Sequence, residues 1–218
     1  MNKTLRRLSL GVCLLALAAC GSEEREETFG SAVYEDLKAK YIDKPEEGAA
    51  PAARDLSWIE TNTKPLIVVV IEETQGMGFL AYQANNKGYK TWRTSDDTSF
   101  IFRNGFLTGT KGLGQDLVSA SVPSRAASSG SQARTHYYLD GDDNVVGQNF
   151  ACNWKFVGSE TTPVIIKTYQ TKHYSESCES GELSFKNDYW LDSSGIIRQS
   201  RQYVSETVGY VSLLKILE

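Results

Sequence analysis

The sequence predicts a mainly β protein: an antiparallel sandwich or open barrel of about nine to ten strands, with a short N-terminal helix. Three observations carry this. From Leu66 onward, short runs rich in β-branched and aromatic residues recur, beginning with LIVVVIE at 66–72. Turn signals separate them: Asn85-Asn86-Lys87-Gly88, Ser95-Asp96-Asp97, Asn104-Gly105 and Ser193-Ser194-Gly195. Within 183–191, Leu183, Phe185, Tyr189 and Leu191 share one parity, while Ser184, Lys186 and Asp188 share the other. That alternation marks a half-solvated antiparallel sheet.

In chain order, SAVYEDLKAKYI (31–42) sets Val33, Leu37 and Ile42 near one side, the spacing of a short amphipathic helix. The Pro/Ala/acid-rich 43–55 reads as a linker. The continuous apolar run 66–72 fits a strand buried on both faces. Strands follow at 78–84, 89–94 and 98–103, and Asn104-Gly105, a strong hairpin signal, leads into FLTGT. Residues 109–133 are rich in Gly, Ser and Ala with weak periodicity. They read as a long loop with a short helix near 115–120. Strands resume at 134–140, 145–156, 163–174, 183–191, 196–204 and 207–217. A transmembrane barrel would need an unbroken apolar outer face. Arg93, Arg103, Lys167, Lys172, Lys186, Arg198 and Arg201 interrupt one.

The N-terminus carries Lys3, Arg6 and Arg7, then the uncharged LSLGVCLLALAA, too short to span a bilayer and suited to a secretory signal. Leu17-Ala18-Ala19-Cys20 has the form of a bacterial lipobox. It resembles a lipoprotein signal at 1–19, cleaved before Cys20, with acyl chains placed on the Cys20 sulfur and amine. Gly21 rather than aspartate follows, which in that class of lipoprotein implies the outer membrane and its periplasmic face. Several acyl chains anchor firmly where one does not. Residues 20–30, rich in glutamate, are then a solvated tether, 31–55 the helix and linker, and 56–218 a single antiparallel β domain.

The net charge is −4, and losing the basic signal leaves the remainder more acidic still. Such a chain has no electrostatic footprint for nucleic acid. Beyond Cys13 and Cys20, only Cys152 and Cys178 remain. In a compartment that oxidises thiols they are expected to form a disulfide. Neither His136 nor His173 stands at zinc-ligand spacing from both cysteines, so no metal is expected.

Catalytic motifs are absent. No G-x-S-x-G elbow occurs, and His136 and His173 sit in strands beside tyrosines, where a packed or surface role is usual. Asp140-Gly-Asp-Asp-Asn144 matches the start of a calcium loop. It has Val145 where glycine is needed and Ala151 where glutamate is needed, so a hairpin turn explains it better. In GTKGLGQDL the order is wrong for a phosphate loop. Asp96 and Asp97, adjacent in sequence, suit a turn better than a glycosidase carboxylate pair. Aromatic residues such as Tyr89, Trp92, Trp154 and Trp190 suit a core and equally a sugar-binding surface. No catalytic residue and no cofactor is expected.

Two stretches are similar to a known family. YKTWRTSDDTSFIFRNGFLTGTKGLGQDL (89–117) and FKNDYWLDSSGIIRQSRQYV (185–204) resemble the group 4 capsule polysaccharide lipoproteins of the GfcB/YjbF type, with Gly-Leu-x-x-Asp-Leu the most specific part. The resemblance runs over roughly 55–217 and agrees with the lipobox. It implies a β-rich outer-membrane lipoprotein, not an enzyme, associated with capsule or exopolysaccharide assembly or export beside proteins of that pathway. The Cys152/Cys178 pair lies outside the matched motif, and 121–133 looks like an insertion. The functional edge is expected in the loop residues Arg103, Asn104, Gly105, Gly112, Leu113, Gly114 and Asp116. The alternatives are an envelope scaffold that binds a protein partner, or a glycan-acting hydrolase.

Overall fold

A computed structural model describes residue 59 and residues 61–217 apart from 166 and 182. The expected helix at 31–42, the linker, the tether and Cys20 lie outside the described residues. The described chain is twelve antiparallel strands: β1 (Leu66–Ile71), β2 (Gly76–Asn86), β3 (Tyr89–Arg93), β4 (Ser99–Arg103), β5 (Phe106–Lys111), β6 (Ser119–Ser121), β7 (Ser129–Leu139), β8 (Val145–Val164), β9 (Lys167–Ser180), β10 (Leu183–Leu191), β11 (Ile197–Ser205) and β12 (Gly209–Leu217).

The strand order is β5-β4-β3-β2-β1-β12-β11-β10-β9-β8-β7-β6, so every hairpin neighbour pairs and β1 joins β12. The two outermost strands then meet. Thr110 N donates to Leu117 O (2.8 Å) and Val118 N to Tyr137 O (2.9 Å), which nearly closes the sheet into a barrel. Closure removes the edges that would otherwise pair with other chains. Of the two architectures expected, the barrel is the one formed. Its apolar side chains converge inward: Ile67, Val69, Leu80, Trp92, Phe100, Phe102, Leu107 and Leu213 form one buried cluster. That is the reverse of a transmembrane barrel.

β1 is buried on both faces, as its unbroken apolar run predicts. Ile67 and Val69 join the interior, while Leu66, Val68 and Val70 join a second cluster with Ile59, Val164, Ile165, Leu214 and Ile216. The cover is the tip of the long β8–β9 hairpin. A register shift between Phe156 and Gly158 marks the irregularity where this hairpin departs from a regular ladder. Trp190 Nε1 donates to Glu160 Oε1, and the Arg198 guanidinium stacks over Tyr169 at 4.3 Å, both tying β8–β9 to β10–β11.

Five expectations are corrected. The described residues form twelve strands, not nine to ten. The Ser/Ala-rich loop contains β6 and the start of β7, which its polar small residues concealed. No helix forms at 115–120; Leu117 and Ala120 turn inward at the seam instead. The strands expected at 145–156 and 163–174 are longer, and the turn lies after Val164 rather than in the Gly-Ser-Glu-Thr-Thr stretch. Tertiary cover overrode a loop-like composition there. Finally, Asp188, expected to face water, is buried, with His173 Nε2 of β9 2.8 Å and Lys186 Nζ 3.3 Å from its Oδ1.

Candidate functional site

The sequence-predicted loop residues separate to opposite ends of β5. Asn104 and Gly105 form the β4–β5 turn with φ of 53° and 86°, the left-handed pair that Asn-Gly supplies. A Cβ on Gly105 would stand 2.9 Å from Ile197 Cδ1, so glycine also permits close packing. Arg103 lies beside this turn, its guanidinium 5.1 Å over the Tyr89 ring. Gly112, Leu113, Gly114 and Asp116 lie at the other end. There Asp116 accepts from Thr110 Oγ1 (2.8 Å), Gly112 N (2.8 Å) and Leu113 N (3.1 Å). Gln115 O accepts from Ser205 Oγ (2.9 Å). That second turn spends its polar groups on closing the seam.

The first turn borders a cavity of about 460 Å³. Its inner wall is Ile67, Trp92, Phe102, Ile197, Ser200 and Leu213, and its mouth includes Gly88, Lys90, Asn104, Ser124 and Gly195, with Lys215 from β12. The volume falls in the range of about 300–1,000 Å³ typical of small-molecule sites. Strand register explains the wall. Lys90 pairs with Phe102 and Lys215 with Ile67, so both lysines share a face with core residues and project toward the barrel axis at its end. Buried Gln202 braces two lining residues: its Oε1 accepts from Leu107 N (2.8 Å), and its Nε2 donates to Gly105 O (3.0 Å) and Ser200 Oγ (2.9 Å). Arg198 donates from Nε to Asp192 Oδ2 (2.6 Å). Burial raises the Asp192 carboxyl, but this bond with those from Ile196 and Ser194 outweighs it and holds Asp192 below the usual range.

A polar cluster fills the other side of the interior. Glu176 pairs with Arg134 and accepts from Asn187 Nδ2 (2.9 Å) and the Tyr189 hydroxyl (3.1 Å). Burial and the Glu176 carboxylate push the Tyr189 hydroxyl far up. Burial pulls the Arg134 guanidinium down, but Tyr189 and Glu176 more than offset it. Asn187 Oδ1 accepts from Tyr203 N (2.8 Å). His136 lies 3.0 Å through Nδ1 from the Tyr138 hydroxyl, which donates its proton to Val204 O (2.7 Å). Nδ1 must therefore be the donor, and the imidazole is neutral. Nε2 is buried without a partner, so a second proton has nowhere to bond. Burial, then repulsion from Arg134, lowers His136 to about 3.

Cys152 and Cys178, directly paired across β8 and β9, form the expected disulfide. They stand within 4.8 Å of a Glu176 oxygen. With both sulfurs bonded to each other, this trio is not a thiolate metal set. Asp140 accepts from Asp142 N and Asn144 N (both 2.9 Å), which are hairpin-turn bonds as the sequence predicts. Sequence reasoning missed Lys90, Ser200 and Lys215. The signal was parity: Lys90 with Trp92, and Val211 with Leu213 and Lys215, alternate as one inward face.

Among the described residues, fold and cavity together define a filled antiparallel barrel with a cation-rimmed cavity. The family model "Group 4 capsule polysaccharide lipoprotein gfcB, YjbF" matches residues 35–215, and the chain belongs to that family. It is 22% identical over 209 residues to the uncharacterized lipoprotein YjbF of Escherichia coli (strain K12), covering 92% of each chain. The crystal structure of the hypothetical lipoprotein YmcC from Escherichia coli (K12) is similar in fold, with a TM-score of 0.67 at 15% identity, covering 88% of this chain and 96% of that one.

Proposed function

We propose that the protein is an outer-membrane lipoprotein, anchored through acyl chains on Cys20 and facing the periplasm. There it acts as a non-enzymatic accessory factor in capsule or exopolysaccharide assembly or export. The family match over residues 35–215 carries this reading. The chemistry of the described residues supports it. Glu176 and Arg134 are locked to each other, Asp188 to His173, and His136 to Tyr138. Groups fixed this way hold a fold together and are not poised for proton transfer to a substrate. The loop residues Asn104 and Gly105 serve in the rim of the end cavity, Arg103 flanks that turn over Tyr89, and Gly112, Leu113, Gly114 and Asp116 hold the seam at the other end of β5.

The test is a strain carrying Cys20→Ala in the chromosomal copy. It is expected to lose the lipid-modified N-terminus by mass spectrometry and to secrete less exopolysaccharide. Unchanged polysaccharide in a full deletion strain would sink the reading.

One observation favours the scaffold alternative within the same pathway. Tyr137, Leu139, Val145 and Val118 form an exposed apolar strip on β7–β8 and the seam, with Val145 60% exposed. Leu139 faces Val145 across the hairpin, and Val118 is bonded to Tyr137. A contiguous apolar strip of this kind fits a protein surface of the export machinery. Leu139→Ser with Val145→Ser is expected to leave folding intact and lower polysaccharide export; equal export in the variant would remove the strip from the mechanism.

A further inference from the structure

We propose that the end cavity is an acyl-chain site. It takes a single-chain anionic amphiphile, tail inside the barrel and anionic head between Lys90 and Lys215. The wall is the first argument. Ile67, Trp92, Phe102, Ile197 and Leu213 are apolar and almost wholly buried, and on one side they border open volume. Apolar surface left facing a cavity gains by covering itself with hydrocarbon. A sugar unit would bring a hydroxyl on nearly every carbon, and each must find a partner when buried. Among the inner-wall residues named above the one hydroxyl is that of Ser200, which accepts from Gln202 and has one proton left to donate, too few partners for a sugar ring.

The rim is the second argument. In a chain of net charge −4, two lysines stand on the inward face of strands whose other inward residues are apolar. Among the described residues Lys90 makes no ion pair, and its ammonium stands at the mouth of an apolar cavity. An ammonium in that position is matched by an anion on the occupant. This separates an exogenous amphiphile from the protein's own N-terminal lipid, whose thioether- and amide-linked chains give Lys90 no counter-charge. A fatty acid carboxylate and a lysophospholipid phosphate both satisfy the chemistry.

This inference does not rest on the export reading. A variant can lose its amphiphile and still be assayed for polysaccharide, and the deletion strain tests export without reference to the cavity. The experiment uses the full chain in its own membrane. A sixteen-carbon fatty acid carrying a diazirine on its tail is supplied, photolysed, and mapped by peptide mass spectrometry. Label is expected on the peptides holding Trp92, Phe102 or Leu213, and excess oleate or lysophosphatidylglycerol is expected to displace it. The stronger competitor names the head group. Lys90→Glu with Lys215→Glu is expected to lower lumen label about tenfold, because the rim then repels the head. Lys87→Glu, in the neighbouring turn, is expected to leave it unchanged. The milder Lys90→Gln with Lys215→Gln covers the case in which charge reversal impairs folding. Label confined to the exterior, label indifferent to either lysine pair, or label displaced by an oligouronate but not by oleate would overturn the proposal.

Discussion

The barrel interior is built in two ways. Around β1–β5 and β12, Val69, Leu80, Phe100 and Leu107 meet carbon to carbon. Around β7–β10, Arg134, Glu176, Asn187 and His136 are just as dry, but they are held by hydrogen bonds and charge. Both halves exclude water to the same degree, so burial alone does not distinguish them; the difference is in how each fails. A truncation on the apolar side leaves a cavity whose cost grows with its volume. A truncation on the polar side leaves a buried group without its partner, which is costly whatever its size. The apolar half therefore tolerates graded change and can surround a ligand cavity. The polar half fixes one arrangement of β7 to β11.

The largest effect that would break this contrast is expected at Glu176. Glu176→Gln leaves the buried Arg134 guanidinium without its carboxylate, and the expected loss is about 3–5 kcal/mol by urea unfolding. Replacing both partners, Arg134→Met with Glu176→Leu, is expected to recover most of that loss, since the desolvation cost leaves with the charges. A double variant no more stable than the single would show that the pair is net stabilising, and the contrast between the halves would weaken. On the apolar side, Leu80→Val is expected to cost only about 1 kcal/mol, scaled to the volume removed.

The disulfide comes next. Cys152 and Cys178 close a separation of 26 residues beside the polar cluster. Cys152→Ala with Cys178→Ala is expected to cost about 2–4 kcal/mol, mainly by freeing the unfolded chain. Because β8 and β9 remain paired along their whole length, the fold itself should persist, and circular dichroism of the variant checks that. A loss below about 0.5 kcal/mol would mean that the ladder alone sets the β8–β9 register and that the bridge is dispensable to it.

Much of this was legible in the chain. The β class, the both-face burial of LIVVVI, the Asn-Gly and Asp140–Asn144 turns and the cysteine pair follow from local rules: period, β-branching, left-handed turn residues and count. What stayed hidden depends on distant contacts. Asp188 reads as solvent-facing by alternation, but it is buried against His173 of β9 and Lys186. β6 is three residues long and carries no periodicity of its own; it exists because β7 offers it an edge. The candidate loop read as one unit because its residues are near in sequence. A strand between them sends Asn104-Gly105 to the cavity and Gly112–Asp116 to the seam. Arg134, Glu176, Asn187 and Tyr189 come from three separate strands, and no spacing rule links them.

The smallest expected effect sharpens the comparison most, because it belongs to one half only. His136 is neutral in the folded protein down to about pH 3, whereas in the unfolded chain it takes a proton near 6.5. Between those values the unfolded state binds more protons, so stability falls as pH drops through that window. The slope contributed by this residue is at most about 1.4 kcal/mol per pH unit, so pH 5 should cost about 2 kcal/mol relative to pH 7. His136→Phe keeps an aromatic ring parallel to Phe185, which stacks on His136 at 5.4 Å, and removes the titrating nitrogens. The variant loses the bond to Tyr138 and should be somewhat less stable at pH 7, yet its urea midpoint should fall less on acidification than that of the parent. Leu80→Val, on the apolar side, should shift the midpoint equally at both pH values. Parallel pH profiles for the parent and His136→Phe would show that the acid sensitivity of the fold does not come from the polar half.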